Sequence, residues 1–483
     1  MRMPEQGASK EAVLAALEGY RAHDLATHGG RTWAYVYETG RPDIEEVATA
    51  AYSAYLGLNG LDFTVFPSML QLENEVVSMA AEHLGGDEHV VGSFTSGGTE
   101  SIMLAVKAAR DGFRATHPTI ARPAVVVPVT AHAAFHKAAH YLDVELVLVD
   151  VDPVTFKADP AAMAAAVTPA TMMLVGSAVS YAHGVTDPIR EIGEIALEHG
   201  LLLHVDGCIG GFLLPYFRRL GEPITDFDFS VPGVTSISMD FHKYGYAPKG
   251  ASVVLYRDRE LRRHQFFVCA DWPGYTVVNS TIQSSKSGGP LAAAWAVLNY
   301  VGDEGYLELT REILEATRRL VTGLRGIPDL RVLGEPDCSL VAFTSDSVNV
   351  FRLIDEMRVL GWYVQPQLGN RGSKENVHLS VDPASGPAVD GLLAALRECV
   401  ERVRDLGSAL PEEVLSLVAG FDPSSLGPAA AAALFQAVGI RDGRLPERMA
   451  PVNEVMNLLP PALTAEMLTD FVNDLFVYRP PTG

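Results

Sequence analysis

Ser236-Ile-Ser-Met-Asp-Phe-His-Lys-Tyr-Gly-Tyr-Ala-Pro-Lys-Gly250 places a lysine directly after a histidine, in a short polar turn between two apolar runs. Residues 234–239 before the turn and 251–256 after it alternate apolar with small polar residues, and each run predicts a strand. Lys243 therefore lies in a loop that strands hold at both ends.

The surroundings of Lys243 favour a chemical role over that of an ordinary surface charge. His242 and Tyr244 flank it, and the nearby glycines allow close approach of the backbone. An apolar sheet would lower the pKa of the amine, and a neutral amine can form an imine with an aldehyde. A lysine that binds an aldehyde suggests pyridoxal phosphate. Such a site also needs a phosphate cradle, an acid for the pyridine nitrogen and a flat group on the ring face.

Thr95-Ser-Gly-Gly-Thr-Glu-Ser101 is the candidate phosphate cradle. Apolar residues at 102, 105, 106 and 109 predict a helix that begins at this turn. Backbone N–H groups at Gly97 and Gly98, with the hydroxyl of Thr99, would meet an anion at the positive end of that helix. Taken alone, the turn also fits an ordinary capped helix.

Asp206 is the candidate acid. It follows the apolar run 201–205, and ligands bind at the carboxyl ends of strands in α/β sheets. An aspartate beside the pyridine nitrogen would keep it protonated and make the ring an electron sink. Capping of the next turn is the competing interpretation. Cys208, two residues later, would lie against one face of the ring.

His132, at the start of a predicted helix, is the candidate for the other ring face. Histidines at 136 and 204 also invite a zinc site, but further ligands at metal spacing are absent from the sequence. We therefore predict no metal.

Composition favours a globular enzyme that acts on a small molecule. The 483 residues are 48% hydrophobic and carry a net charge of −22, which argues against a nucleic acid or an anionic membrane as partner. The four cysteines form no C-x-x-C pair, as is typical of a reducing cytosol. The opening residues are polar, and no apolar run is long enough for a membrane span. We expect a cytoplasmic protein without a transmembrane segment.

Three regions are predicted along the chain. Residues 1–60 form an N-terminal arm, and 61–304 alternate short apolar strands with helices, which predicts a large, mostly parallel sheet domain of the α/β class. Residues 305–483 form a smaller C-terminal α+β domain with a helical tail. Its candidate strands are 331–333, 340–343, 348–351 and 377–381.

Several motifs, in their order along the chain, resemble the sphingosine-1-phosphate lyases within the group II PLP-dependent decarboxylase family. The resemblance extends from about Thr32 to the last helix and implies the PLP-dependent transferase fold type I. Its motifs are Thr95–Ser101, His132-Ala-Ala-Phe135, His183-Gly-Val-Thr-Asp187, His204-Val-Asp-Gly-Cys208, the 242–250 turn and Asp271-Trp272.

The resemblance also implies a role for individual residues. Lys243 would bind pyridoxal phosphate covalently, Asp206 would pair with the pyridine nitrogen and His132 would stack on the ring. Gly98, Thr99 and His242 would hold the cofactor phosphate. The loop 284–289, with Ser287 and Gly288, would face the phosphate of the neighbouring subunit, which implies a homodimer with a shared active site. Tyr37 and Lys249 would hold a substrate phosphate.

One position departs from the lyases. Leu61-Asp-Phe-Thr64 precedes Phe66-Pro67, so Asp62 stands where the lyases carry a histidine for the substrate phosphate. A carboxylate repels a phosphate and favours an ammonium or a hydroxyl group. We expect retro-aldol cleavage of a phosphorylated amino alcohol, with decarboxylation of an amino acid as the alternative. Aminotransfer, or a catalytically silent protein of the same fold, is a further alternative.

Overall fold

The computed structural model describes residues 2–419, 427–440 and 444–478. The arm contains two helices, α1 (Lys10–Arg21) and α2 (Pro42–Ala54). Ser9 caps α1 by accepting a hydrogen bond from the N–H of Ala12 at 3.2 Å. No residue of α1 is buried, so this helix lies on the surface of the chain.

Between α1 and α2 the arm crosses the C-terminal domain. Trp33 is fully buried, and its backbone N–H donates to the carbonyl of Tyr363 at 2.9 Å. The N–H of Glu38 donates to Asp382 Oδ2 at 3.0 Å. These two bonds hold Tyr37, which lies between them in sequence, against the interior of the protein.

Strands and helices alternate in the large domain, as their apolar runs predict. Its elements are α3 (Pro67–His83), β1 (Val91–Thr95), α4 (Gly98–Thr116), β2 (Ala124–Pro128), α5 (Ala134–Leu142), β3 (Glu145–Val149), α6 (Pro160–Ala165), β4 (Thr171–Ser177), α7 (Ile189–His199), β5 (Leu202–Asp206), α8 (Gly210–Arg219), β6 (Ser236–Asp240), β7 (Ser252–Tyr256), α9 (Arg259–Arg262), β8 (Phe267–Cys269) and β9 (Val277–Asn279).

The first seven of these strands form one sheet in the order β1-β7-β6-β5-β4-β2-β3. The five neighbouring strands β6, β5, β4, β2 and β3 are parallel to one another. Strand β7 is antiparallel to both β6 and β1. All residues of β2, β4, β6 and β7 are buried, as expected for a sheet that is covered on both faces. The predicted α/β fold is confirmed, and the carboxyl ends of β4, β5 and β6 meet at one edge.

A long helix, α10 (Gly288–Arg325), leads from the large domain to the C-terminal one. Gly302 interrupts it with φ 63° and ψ 173°, a conformation that favours glycine. The predicted boundary at residue 304 falls two residues after this kink.

The C-terminal region contains a small antiparallel sheet, covered by helices. Its elements are β10 (Arg331–Val332), β11 (Leu340–Thr344), α11 (Val350–Val359), β12 (Gln365–Gln367), β13 (Asn376–Ser380), α12 (Val389–Val403), α13 (Glu412–Ala419), α14 (Pro428–Ala437), α15 (Ala450–Leu458) and α16 (Pro461–Leu475). The strand order is β10-β11-β13-β12. None of the helices in the described ranges is long and apolar enough to cross a membrane.

The prediction of a strand at 348–351 is wrong, because α11 begins there. Asn349 Oδ1 accepts hydrogen bonds from the N–H groups of Phe351 and Arg352, both at 3.0 Å, and so caps the helix. Val350 and Phe351, which belonged to the predicted strand, instead lie on the buried face of α11.

Candidate active site

A cavity of about 340 Å³ lies where α4 begins and β5 and β6 end. It brings together residues from five separate stretches of the sequence. The predicted residues that line it are Gly97, Gly98, Thr99, His132, Asp206, Cys208, His242 and Lys243. A larger cavity, of about 830 Å³, lies at the opposite edge of the sheet and contains none of these residues.

The turn between β1 and α4 depends on glycine. A Cβ atom on Gly98 would lie only 2.6 Å from Cys208 Sγ, closer than real Cβ contacts. The carboxylate of Glu100 holds the turn in place, because it accepts hydrogen bonds from the N–H of Ser96 at 2.6 Å and of Ile282 at 2.8 Å. The first N–H groups of a helix have no carbonyl partner within it, so those of α4 can bind a phosphate.

Lys243 forms an ion pair with Asp240, which ends β6. Its Nζ lies 2.9 Å from Asp240 Oδ2, and the aspartate side chain is only 2% exposed. Burial acts to lower the pKa of Lys243, but the carboxylate of Asp240 outweighs it, and the pKa lies above its ordinary value. The expectation of a lowered pKa is therefore wrong while this ion pair exists. Lys243 must give up a proton before it can act as a nucleophile.

Asp206 occupies the position predicted for the acid. It ends β5, it is 6% exposed and it lines the cavity. Its Oδ1 accepts a hydrogen bond from the N–H of Cys208 at 3.1 Å. The carboxylate thus caps the following turn, and its position in the cavity leaves it available to a cofactor as well.

His132 lies on the cavity wall beside Tyr181. Its Nδ1 accepts a hydrogen bond from the N–H of Ala134 at 3.2 Å, and its ring meets the ring of Tyr181 edge-on at 6.3 Å. Tyr181 is itself fixed, since its hydroxyl donates to Gln365 Oε1 at 2.7 Å and its ring stacks on His378 at 4.4 Å. His132 therefore has a defined orientation from which it can cover a planar ligand.

Tyr37 and Lys249 lie together beside the cavity. Lys249 Nζ is 4.7 Å from the centre of the Tyr37 ring, which meets the ring of Tyr244 at 5.1 Å. Burial, assisted by the positive charge of Lys243, lowers the pKa of Lys249 to about 8. Burial raises the pKa of Tyr37 to about 12, so its hydroxyl keeps its proton at neutral pH. The pair can offer a hydrogen-bond donor and a cation to one ligand.

Ser287, Gly288 and Asp62 do not line the cavity of this chain. Ser287 precedes α10, and the N–H of Gly288 donates to the carbonyl of Leu58 at 2.9 Å. Asp62 is exposed, and its Oδ1 accepts hydrogen bonds from the N–H and hydroxyl of Thr64 at 2.8 and 2.6 Å. Their assignments to a phosphate of the neighbouring subunit, or to the substrate, stay predictions.

Sequence reasoning missed Asp240 and Tyr181. Asp240 could have been found, because it directly follows the predicted strand 234–239 and precedes Lys243 by three residues, and the same strand-end rule had identified Asp206. Tyr181 had no comparable signal. It lies in the loop after β4, and only the packing of the C-terminal domain brings its ring to His132.

The cavity fits pyridoxal phosphate. The glycine turn suits its phosphate, the carboxylate of Asp206 suits its pyridine nitrogen, and Lys243, which would bind its aldehyde, lines the same cavity. Asp240 Oδ1, buried and without a hydrogen-bond partner among the described residues, provides a further polar atom beside this space. When bound, the cofactor supplies an electron sink for a bond that breaks next to the substrate amine.

Comparison with known proteins agrees with this geometry. The family model "Pyridoxal-dependent decarboxylase conserved domain" matches residues 27–346, and a model for a C-terminal helix-turn-helix domain of pyridoxal-dependent enzymes matches residues 412–474. Sphingosine-1-phosphate lyase of Arabidopsis thaliana is 42% identical over 83% of this chain and 74% of its own length. The lyase of Dictyostelium discoideum is 41% identical over 77% of this chain and 69% of its own.

A solved structure shows the same likeness in three dimensions. The sphingosine-1-phosphate lyase of Burkholderia pseudomallei is 38% identical, with a TM-score of 0.80 over 84% of this chain and 93% of its own. The chain belongs to the pyridoxal-dependent decarboxylase family and is a pyridoxal phosphate-dependent lyase similar to the sphingosine-1-phosphate lyases.

Proposed function

We propose that the chain cleaves the Cα–Cβ bond of a phosphorylated long-chain amino alcohol, giving a fatty aldehyde and phosphoethanolamine. The observation that carries the proposal is the pairing of Lys249 with Tyr37 beside the cofactor cavity. The names of the similar proteins support the same substrate class.

Lys249 and Tyr37 suit a substrate phosphate. Below about pH 8 the lysine carries a positive charge, and the tyrosine hydroxyl donates a hydrogen bond. Lys249 is held at the rim by a hydrogen bond from its Nζ to the carbonyl of His242 at 3.3 Å. The substrate amine, three bonds from the phosphate ester oxygen, would then lie toward Lys243.

A second cavity, of about 310 Å³, suits the aliphatic chain. It shares His132 and Tyr181 with the cofactor cavity, so the two spaces adjoin. Apolar side chains make up part of its lining. They are Val129, Val151, Pro153, Phe156 and Leu368.

The cleavage itself needs two proton transfers, one from the substrate to a base and one from this chain to the substrate. Removal of the proton from the β-hydroxyl lets the Cα–Cβ bond break, and Cβ leaves as the aldehyde carbon. Cα then takes up a proton before phosphoethanolamine leaves. We assign the second proton to Lys243, because Asp240 at 2.9 Å stabilises its ammonium form.

We further propose a homodimer with a shared active site, located in the cytoplasm. Ser287 is exposed and lies outside the cavity of its own chain, and α1 exposes Val13, Leu14 and Leu17. Both features are available to a second copy. The cysteines are free thiols, which accords with a reducing compartment.

A product screen tests the proposed reaction. The protein loaded with pyridoxal phosphate is incubated with phosphorylated long-chain bases, β-hydroxy amino acids and ordinary amino acids, and the products are identified by mass spectrometry. We expect a fatty aldehyde and phosphoethanolamine from the phosphorylated bases alone. Carbon dioxide released from an amino acid would instead identify a decarboxylase.

Two lysine variants test the phosphate site. Lys249→Gln removes the cation beside Tyr37, and we expect KM for the phosphorylated base to rise about tenfold, the effect of about 1.4 kcal/mol. Lys157→Gln is the matched control, because Lys157 pairs with Asp337 at 3.1 Å outside the cofactor cavity. Equal KM values for both variants would remove Lys249 from the substrate site.

A further inference from the structure

We propose that Ser236, His204 and Ser238 form a buried hydrogen-bond relay that holds Asp206 as an oriented carboxylate for the pyridine nitrogen of the cofactor. The relay lies within β5 and β6, directly behind the cavity wall. All three are positioning residues, since they act through Asp206. The relay concerns the cofactor, and it holds whichever substrate the lyase cleaves.

Three consecutive contacts make up the relay. Ser236 Oγ lies 2.8 Å from His204 Nδ1, and His204 Nε2 lies 3.3 Å from Ser238 Oγ. Ser238 Oγ lies 3.4 Å from Asp206 Oδ1. The parallel register places His204 beside Ser236 and Asp206 beside Ser238. Each of the four is at most 6% exposed, so little water competes for these bonds.

The chemistry of the groups determines where the hydrogen atoms lie. An ionised carboxylate only accepts, so the single hydroxyl proton of Ser238 points to Asp206. Ser238 Oγ is then the acceptor for His204, which places the ring proton on Nε2. Nδ1 becomes an acceptor for the hydroxyl of Ser236. Every donor in the relay therefore points toward Asp206, and the relay stabilises the anionic form of this carboxylate.

The relay carries no charge of its own. Burial lowers the pKa of His204 to about 4, so the imidazole is neutral at physiological pH. A cation behind Asp206 would compete with a protonated pyridine for the same carboxylate. A neutral relay instead orients the carboxylate and leaves its negative charge for the cofactor.

A purely structural role makes a different prediction. His204 also fills space in the core, where its ring meets that of Phe135 at 6.0 Å. If packing were its only role, the hydroxyl of Ser238 would be dispensable for the pyridine nitrogen. Ser177, a buried serine of β4, is a matched control. It lies beside Asp206 of β5 in the sheet, and its hydroxyl has no partner among the described residues.

The test compares Ser238→Ala with Ser177→Ala by equilibrium dialysis against two ligands. One is pyridoxal phosphate, and the other is its 1-deaza analogue, in which carbon replaces the pyridine nitrogen. For Ser238→Ala we expect the dissociation constant for pyridoxal phosphate to rise about tenfold, because a hydrogen bond to a charged group is lost. The dissociation constant for the analogue should stay within about twofold, and Ser177→Ala should leave both unchanged.

Nitrogen-15 NMR of labelled cofactor provides a second readout. We expect the pyridine nitrogen to be protonated in the parent enzyme and to lose its proton at a lower pH in Ser238→Ala. Equal losses of affinity for both ligands, or an unchanged nitrogen resonance in Ser238→Ala, would overturn the relay and leave packing as the role of His204.

Discussion

Replacing Asp240 by asparagine tests the ion pair that controls the proton of Lys243. The two charges are 2.9 Å apart. At that distance their attraction is about 6 kcal/mol for an effective dielectric constant of about 20. One pKa unit corresponds to about 1.4 kcal/mol, so the attraction equals about four units. Asparagine keeps an oxygen that can accept a hydrogen bond from the lysine, so we expect the pKa of Lys243 to fall by at least about two units.

The assay follows the recombination of cofactor-free protein with pyridoxal phosphate, through growth of the visible absorption band of the bound cofactor. Only the neutral amine attacks the aldehyde, so the rate rises with pH until the lysine has lost its proton. In the parent protein the rise continues to the alkaline limit of stability. In Asp240→Asn the rate should level off before that limit is reached, because the pKa of Lys243 has fallen.

Asp228→Asn is the control for loss of a buried carboxylate. Asp228 pairs with Arg218 at 3.3 Å and does not line the cofactor cavity. Asp240→Asn leaves Lys243 without its carboxylate partner, which costs about 3–5 kcal/mol of stability where the pair is fully buried. Asp228→Asn also removes a buried carboxylate, but Arg218 keeps Asp226 at 3.4 Å. Only Asp240→Asn should change the pH profile of recombination. Identical profiles for Asp240→Asn and the parent would refute the role of this ion pair.

Three further predictions concern the cradle, the rim and the lysine itself. Gly98→Ala places a Cβ 2.6 Å from Cys208 Sγ, so equilibrium dialysis should show at least about tenfold weaker binding of pyridoxal phosphate; undiminished affinity would contradict the cradle. The pKa of Lys249 is about 8, so its charge is present below that pH and lost above it. KM for a phosphorylated substrate should therefore rise between about pH 7 and 9, whereas Lys249→Arg should keep it constant. Lys243→Ala should abolish both the visible absorption band and turnover, and a variant that retained either would exclude Lys243 as the cofactor lysine.

Most elements could be predicted because each is specified by its own residues. The apolar run 124–128 forms β2, and the amphipathic stretch 189–199 forms α7. The error at Asn349 arose because its side chain caps α11, which a period-two pattern does not reveal. β12 was missed because Gln365-Pro-Gln367 lacks β-branched and aromatic residues.

The sequence by itself determined the fold class and the cofactor, and it identified Lys243 and Asp206 as the candidate residues that hold this cofactor. Each follows from a strand with a short motif at its end, and such motifs are local. Only the tertiary structure decided the protonation of Lys243 and the partners of Asp206. Asp240 raises the pKa of the lysine because the turn after β6 brings a carboxylate to 2.9 Å. Ser238 reaches Asp206 only because β5 and β6 are parallel neighbours in the observed register, and no local pattern sets that distance.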